Sequence, residues 1–282
     1  MVIKPFPEPG PRLKRFTVRQ LKQVNEFTLV KEGTSQAIQR ESDALKFVRQ
    51  HTSLPVPEVR DTIIIDDGDP INYHASKILM QALPGLRLTL AWPSMSEAAR
   101  RTTRAELAAH FAELRGLRQQ PQQPQQQPED ADFSNSRSAM EAAGAGWIGS
   151  CTHGPVYDHR MNNGWPCGPF DSVSSFHDFL VRPVARCPKP ELVKRFRDQL
   201  SDDHSIVFTH ADFAGDHVLV EPDTGHVTGI VDWEMAGWWP AYWEYNKSRH
   251  GWRTDPWWVE LLHEIMPAYE KEWRVDMDLS DF

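Results

Sequence analysis

Between Phe208 and Glu234 the sequence alternates strand-like apolar runs with carboxylates, in an order that leaves few choices of fold. Asp212 follows the strand-like run that opens at Phe208, and Asp232 follows Gly229–Val231. Between them Val218–Val220 and Val227–Val231 flank Pro222–Gly225, whose residues are those of a tight turn. This pattern predicts a β-hairpin. A hairpin returns the chain to its starting point, so the two carboxylates converge on one site. One acid beside a second acid that holds a metal is an arrangement suited to phosphoryl transfer: the first takes the proton of an attacking hydroxyl, and the metal neutralises phosphate charge.

The chain before this segment divides in two. Phe16–Leu21 and Phe27–Lys31 are short β-branched and aromatic runs, and Ala44, Leu45 and Val48 give residues 37–50 a helical face. Pro55 and Pro57 stop that helix, and Ile63–Ile65, a turn at Asp66–Pro70 and Ser76–Met80 follow. Past Gly85 the periodicity turns helical. Ser94 with Glu97 reads as a capping box, and Leu107, Phe111 and Leu114 share a face. Residues 118–131 are a Gln/Pro tract too poor in apolar side chains to fold, and are expected to be a disordered loop. A short helix is expected around Phe176–Leu180. A last one, kinked at Pro267, is expected from Trp258 to Tyr269. Seven of the eleven tryptophans lie between Trp233 and Trp258, and an aromatic run of this kind is more often core than a ligand platform. The eight acids from Asp255 onward read as a solvated tail.

Composition narrows the classes. A net charge of −8 argues against nonspecific nucleic-acid binding. Cys151, Cys167 and Cys187 lack metal-ligand spacing and are odd in number, so no disulfide framework is expected. No run is long and apolar enough for a membrane span, and the proline-rich start is no signal peptide, so a cytoplasmic location is expected. Oligomeric state is left open.

His210-x-Asp212 and Asp232-Trp-Glu234 resemble the aminoglycoside phosphotransferase family of kinase-like proteins, especially its fungal branch. The resemblance implies an α+β, two-lobed, protein-kinase-like fold. Residues 1–82 would form a small, antiparallel-sheet lobe of the nucleotide-binding type, and residues 83–282 a larger, mainly helical lobe. It implies ATP and Mg2+ as cofactors and a small-molecule substrate, with Asp212 as base and Asp232 as metal ligand. His210 would brace the loop. The family carries Asn where this chain has His217. An amide oxygen suits magnesium, whereas a neutral imidazole suits zinc, copper or nickel. His217 is therefore a candidate metal ligand, with an acid–base role or a plain strand position as alternatives.

Lys31 ends a strand, and Glu41 lies on the apolar face of the following helix, where a carboxylate is costly unless a cation meets it. In kinase-like proteins such a pair holds the lysine against the α- and β-phosphates. Ile78–Gly85 resembles the family's hinge, with Gln81 and Leu83 at the adenine edge, although an ordinary strand-to-turn reading also fits. No glycine precedes Lys31 from residue 12 onward, so nucleotide binding is expected to rest on Lys31, the hinge and the metal. Glu234 and Trp238 are candidates for the substrate side. The functions open at this point are an ATP-dependent phosphotransferase acting on a hydroxyl, an enzyme repurposed for ATP-independent acid–base chemistry, and a non-catalytic binding protein.

Overall fold

The computed structural model describes residues 21–65, 76–119, 146–186, 189, 191–250, 253 and 255–280. Strands β1 (Leu21–Asn25), β2 (Thr28–Gly33), β3 (Val59–Ile63) and β4 (Ser76–Gln81) form an antiparallel sheet in the order β1-β2-β4-β3. β4 buries Ser76, Ile78 and Met80 and leaves the residues between them partly exposed, the two-residue period of a strand with one face on a core. Helix α1 (Ser35–His51) crosses from β2 to β3. Thr34 caps it by accepting from the Ala37 N–H, which gives a partner to one of the first-turn donors. Its buried stripe is Ile38, Glu41, Ser42, Ala44, Leu45 and Val48.

After a two-residue strand β5 (Leu86–Arg87) the chain becomes mainly helical. Its elements are α2 (Leu88–Ala91), α3 (Glu97–Gly116), α4 (Val173–Leu180) and α5 (Glu191–Arg197), then α6 (Trp243–Ser248), α7 (Pro256–Ile265) and α8 (Glu270–Leu279). Between α5 and α6 lie β6 (Ile206–Thr209), β7 (Val218–Val220), β8 (Val227–Ile230) and β9 (Gly237–Pro240). β7 and β8 make the expected antiparallel hairpin, with Val218 opposite Ile230, and β5 adds to its edge. The hairpin turn is pinned on α3. Gly225 has φ 82°, and a Cβ there would fall 1.9 Å from the Ala99 carbonyl oxygen. Thr103 Oγ1 also donates to the Gly225 carbonyl at 2.6 Å. Only glycine fits both the backbone angle and the space.

The tryptophan-rich run is core. Trp233, Trp238, Trp239 and Trp243 are buried, and the rings of Trp239 and Trp243 stack with centroids 5.0 Å apart. Truncating one such ring to Ala costs about 3–5 kcal/mol.

Some local expectations shift. Of the expected strand Phe16–Leu21 only Leu21 lies among the described residues, and it begins β1. Of Ile63–Ile65 only Ile63 is in a strand. The cap of α3 is Ser96, which accepts from Ala99 N–H, while the Ser94 hydroxyl donates to the Ala91 carbonyl. The last helix is two helices, because Met266 turns extended (φ −148°) just before Pro267. Nor is the acidic end a solvated tail: α8 buries Glu272 and Asp276. Residues 120–131 of the Gln/Pro tract and the turn at Asp66–Pro70 lie outside the described residues. Cys151 and Cys167 are free thiols. Among the described residues no helix is long and apolar enough to cross a membrane.

Candidate active site

β6 delivers the chain into a loop held from below by Glu244 of α6. One Glu244 oxygen accepts from the His210 N–H at 2.8 Å and the other from the Ala211 N–H at 3.1 Å. Ala211 has φ 62°. A side chain in this left-handed region costs roughly 1–2 kcal/mol, which the pair of hydrogen bonds offsets. Burial pushes the Glu244 carboxyl up to about 7 even against the two backbone donors. The His210 tautomer follows from its partners. Nδ1 accepts from the Asp212 N–H at 3.1 Å, so the proton is on Nε2, which donates to the Val231 carbonyl at 3.0 Å. Burial lowers this ring to about 4, and it stays neutral. His210 thus ties the Asp212 loop to the end of β8, the bracing role expected for it.

The hairpin and the sheet then bring the predicted residues together. Lys31 Nζ lies 2.6 Å from Glu41 Oε2, 2.7 Å from Asp232 Oδ1 and 3.8 Å from Glu234 Oε2. Burial raises the Glu41 carboxyl and Lys31 opposes the rise. Asp232 has φ 69°, a left-handed backbone tolerated by Asp and Asn better than by other non-glycine residues. His217 Nδ1 donates to the Asp212 carbonyl oxygen at 2.7 Å, while its Nε2 faces Asp232 Oδ2 at 3.5 Å. The ligand atoms of Asp212, His217 and Asp232 all lie within 4.8 Å of one another, as do those of Glu41, Asp232 and Glu234.

Two further groups, not foreseen from the sequence, act on Asp212: Arg253 and Lys247. Arg253 donates to Asp212 Oδ1 at 3.0 Å and to the Lys247 carbonyl at 3.2 Å. Lys247 is buried and pairs with the equally buried Asp158 at 3.0 Å. Arg160 bonds both Asp158 and Asp276, at 3.3 and 2.8 Å. Burial pushes the Asp212 carboxyl up, but Lys247, Arg253 and the two histidines outweigh it and hold the group below the usual carboxylate range. Glu244 and Lys247 did leave a signal: charges three residues apart in an apolar Trp/Tyr run mark an inward-facing helical face. Asp158 and Arg160 sit in an irregular segment without periodicity, and Arg253 just beyond α6, so none of the three carried a signal.

The hinge candidates and Trp238 are arranged differently. Gln81 ends β4, with its N–H on the Glu58 carbonyl at 2.9 Å, and the Ala82 N–H bonds the Phe27 carbonyl at 3.1 Å. Leu83 packs on β8: a Cβ at Gly229 would come within 2.8 Å of Leu83 Cδ1. The absence of a side chain at Gly229 therefore lets the hinge approach the hairpin three residues before Asp232. Trp238 points away from this cluster. Its ring meets Phe208 and Phe47, and it lines a cavity of about 380 Å³ with Phe47, Trp147, Cys151 and His153.

A fold comparison with solved structures finds the GDP and kanamycin complex of APH(2")-IIia at 13% identity and TM-score 0.56, covering 95% of this chain and 81% of that one. The GDP complex of wild-type aminoglycoside 2'-phosphotransferase-IIIa gives 12% identity and TM-score 0.58, covering 95% and 80%. At these identities the likeness is one of fold: the two-lobed, kinase-like architecture of aminoglycoside phosphotransferases. No curated protein sequence matches the chain. The sequence model of the phosphotransferase enzyme family, APH, matches residues 27–278, nearly the whole chain, and this protein belongs to that family.

Proposed function

We propose that the protein transfers a phosphoryl group from ATP to a hydroxyl of a small molecule. The observation that carries this reading is the convergence of Asp212, His217 and Asp232 beside the Lys31–Glu41 pair. Lys31 binds the α- and β-phosphates and is oriented by Glu41. Backbone groups at Gln81 and Leu83 take the adenine edge, with the boundary between the lobes at residues 82 and 83. Asp212 accepts the proton of the attacking hydroxyl. It suits the task because its depressed basicity keeps it ionised. Glu234 faces the acceptor side.

The residues that would hold a divalent ion are Asp232 and His217, with Asp212 in reach; bound there with ATP, an ion such as Mg2+ neutralises charge on the phosphate oxygens. The two carboxylates fit Mg2+, whereas the imidazole fits a transition dication better. The resemblance of residues 208–245 supports reading the protein as one of the family's fungal branch, with His217 in the position of its metal-binding Asn. We place its action in the cytoplasm, on a small-molecule partner rather than nucleic acid or membrane.

The test is a melting experiment with a kinetic arm. ATP with a divalent ion should raise Tm, because a ligand that binds only the folded state stabilises it. Asp212→Asn should keep that shift yet lower turnover by about 10²–10⁴-fold, the contribution of a positioned base. A folded Asp212→Asn protein with activity within a few-fold of the parent sinks the proposal.

A further inference from the structure

Trp238 has no part in the cleft, yet it forms one side of the cavity of about 380 Å³ between the end of α1 and β9. That volume falls within the range of small-molecule sites, about 300–1,000 Å³, which are walled mainly by aromatic and apolar side chains with a few polar atoms. The rings of Phe47 and Trp147 stand at 72° and 67° to that of Trp238, with centroids 6.1 and 6.3 Å from it. Three rings so inclined make a slot. A flat aromatic guest can meet it both face-on and edge-on, the two geometries that aromatic pairs prefer.

The slot is held open by backbone contacts. The Trp238 N–H donates to the Gly149 carbonyl at 2.7 Å, and the Gly149 N–H to the Trp238 carbonyl at 3.1 Å. Gln119 accepts from the Trp147 N–H and donates to the Trp147 carbonyl. The His153 ring lies 4.5 Å from that of Trp147, on a backbone with φ 60°. Such a strained conformation persists only where its surroundings over-determine it; here the His153 N–H meets the Ser150 carbonyl at 3.1 Å and the Gly154 N–H the Ser150 hydroxyl at 2.8 Å. The polar atoms then set the chemistry. At the exposed lip His51 Nδ1 donates to the Phe47 carbonyl at 2.8 Å, so in a neutral ring its Nε2 is an acceptor. The Cys151 thiol stays protonated, pushed up to about 12 by burial and by the Asp43 carboxylate. None of the lining side chains carries a fixed charge to pair with an ion, and Asp43 opposes an anion.

We infer that this slot is a second binding site, separate from the cleft, for an uncharged fused-ring aromatic molecule that carries a hydroxyl or N–H donor. Phe47, Trp147 and Trp238 take the flat body, and His51 Nε2 takes the donor. The inference does not rest on the phosphotransferase reading.

The experiment uses the full chain with 2-naphthol as probe, titrated by saturation-transfer NMR. The parent should bind it with a Kd of about 1 mM or tighter. Naphthalene, which lacks the donor, and naphthalene-2-sulfonate, which is anionic, should bind more weakly. Cys151→Phe, inside the slot, and Gln50→Trp, at its exposed lip, should each fill the space and weaken 2-naphthol by at least about tenfold. Melting curves establish that each variant is folded. Failure of the parent to bind 2-naphthol, or unchanged binding in both folded variants, overturns the inference. So does displacement of 2-naphthol by ATP with Mg2+, which would put the probe in the cleft. Naphthalene binding as tightly as 2-naphthol overturns the role given to His51, and equal binding of the sulfonate overturns the exclusion of anions. Nucleotide stabilisation measured on the same samples separates the two claims. Binding of 2-naphthol that both variants weaken, without any effect of ATP on Tm, would defeat the phosphotransferase reading and leave this one standing; ATP stabilisation with no binding of 2-naphthol would do the reverse.

Discussion

Two clusters of ionised side chains meet at Asp212, and they differ in how far water reaches them. In the lower one, Asp158, Lys247, Arg160 and Asp276 have side chains no more than 9% exposed, and among the described residues two cations face two carboxylates. In the upper one, Asp232 and His217 keep 21% and 19% of their surface, and one described lysine, Lys31, faces Glu41, Asp232 and Glu234. A closed and matched set of charges satisfies itself. A set whose Asp232 and His217 remain within reach of water leaves room for something that arrives. On the proposed reading the difference separates charges that shape the floor of the cleft from those that meet a ligand.

Breaking the lower cluster should have the largest effect on stability. Asp158→Asn strands Lys247 and half of Arg160 in the interior, where removing one member of a buried pair costs about 3–5 kcal/mol. Chemical unfolding of that variant measures it, and a loss under about 1 kcal/mol would erase the distinction drawn between the clusters. Lys31→Ala should behave otherwise. Glu41, already raised by burial, can take a proton in place of the lost cation, so the fold survives. The nucleotide-induced gain should vanish, a loss of about 2.7 kcal/mol at a hundredfold excess over Kd, read as the difference in Tm with and without ATP.

The smallest effect sharpens the border between the two clusters. Glu244 has a folded pKa of about 7, above its ordinary value of 4.5. Between those values the folded state holds more protons than the unfolded, so its share of stability falls as pH rises through this window, by about 1 kcal/mol per pH unit at most. His210, lowered to about 4, works in the opposite direction: its share is lost as pH falls from about 6.5 towards 4. Glu244→Gln should remove the opposing slope, so that stability rises more steeply from pH 4.5 to 6.5. It should also loosen the loop, since one of two acceptors is lost, and reduce turnover by up to about 10²-fold with Tm little changed. A pH series of melting curves and a rate at fixed pH check both parts.

The upper cluster was readable in the sequence because each member sits at a place local rules define. Lys31 lies in a strand, though two residues before the end of β2 rather than at its end as expected, Glu41 occupies an apolar helical face, and Asp212 and Asp232 bracket a hairpin with a Pro–Gly turn. The lower cluster was not, because pairing between Asp158 and Lys247 spans 89 residues and one partner lies in a segment with no repeat. The same limit shows in the fold. α1 and the hairpin were legible from periodicity, whereas the division of the last helix at Met266 and the inward turn of Asp276 depend on packing that the sequence does not display. An acidic stretch with two basic residues reads as solvated until a buried arginine elsewhere gives it a reason to turn in.

The contact between Arg253 and Asp212 has a consequence for what the protein does when no acceptor is at hand. On the proposed reading, a base already engaged by a guanidinium offers little to a stray water molecule, and the donor's terminal phosphate would be guarded against leakage to solvent. The acceptor hydroxyl would then have to draw the arginine aside before the carboxylate could take its proton, so that arrival of the correct molecule would lift the guard. Arg253→Ala should then waste nucleotide: phosphate release without acceptor rises, while release with acceptor changes less. Equal idle hydrolysis in the two proteins would show that the restraint lies elsewhere.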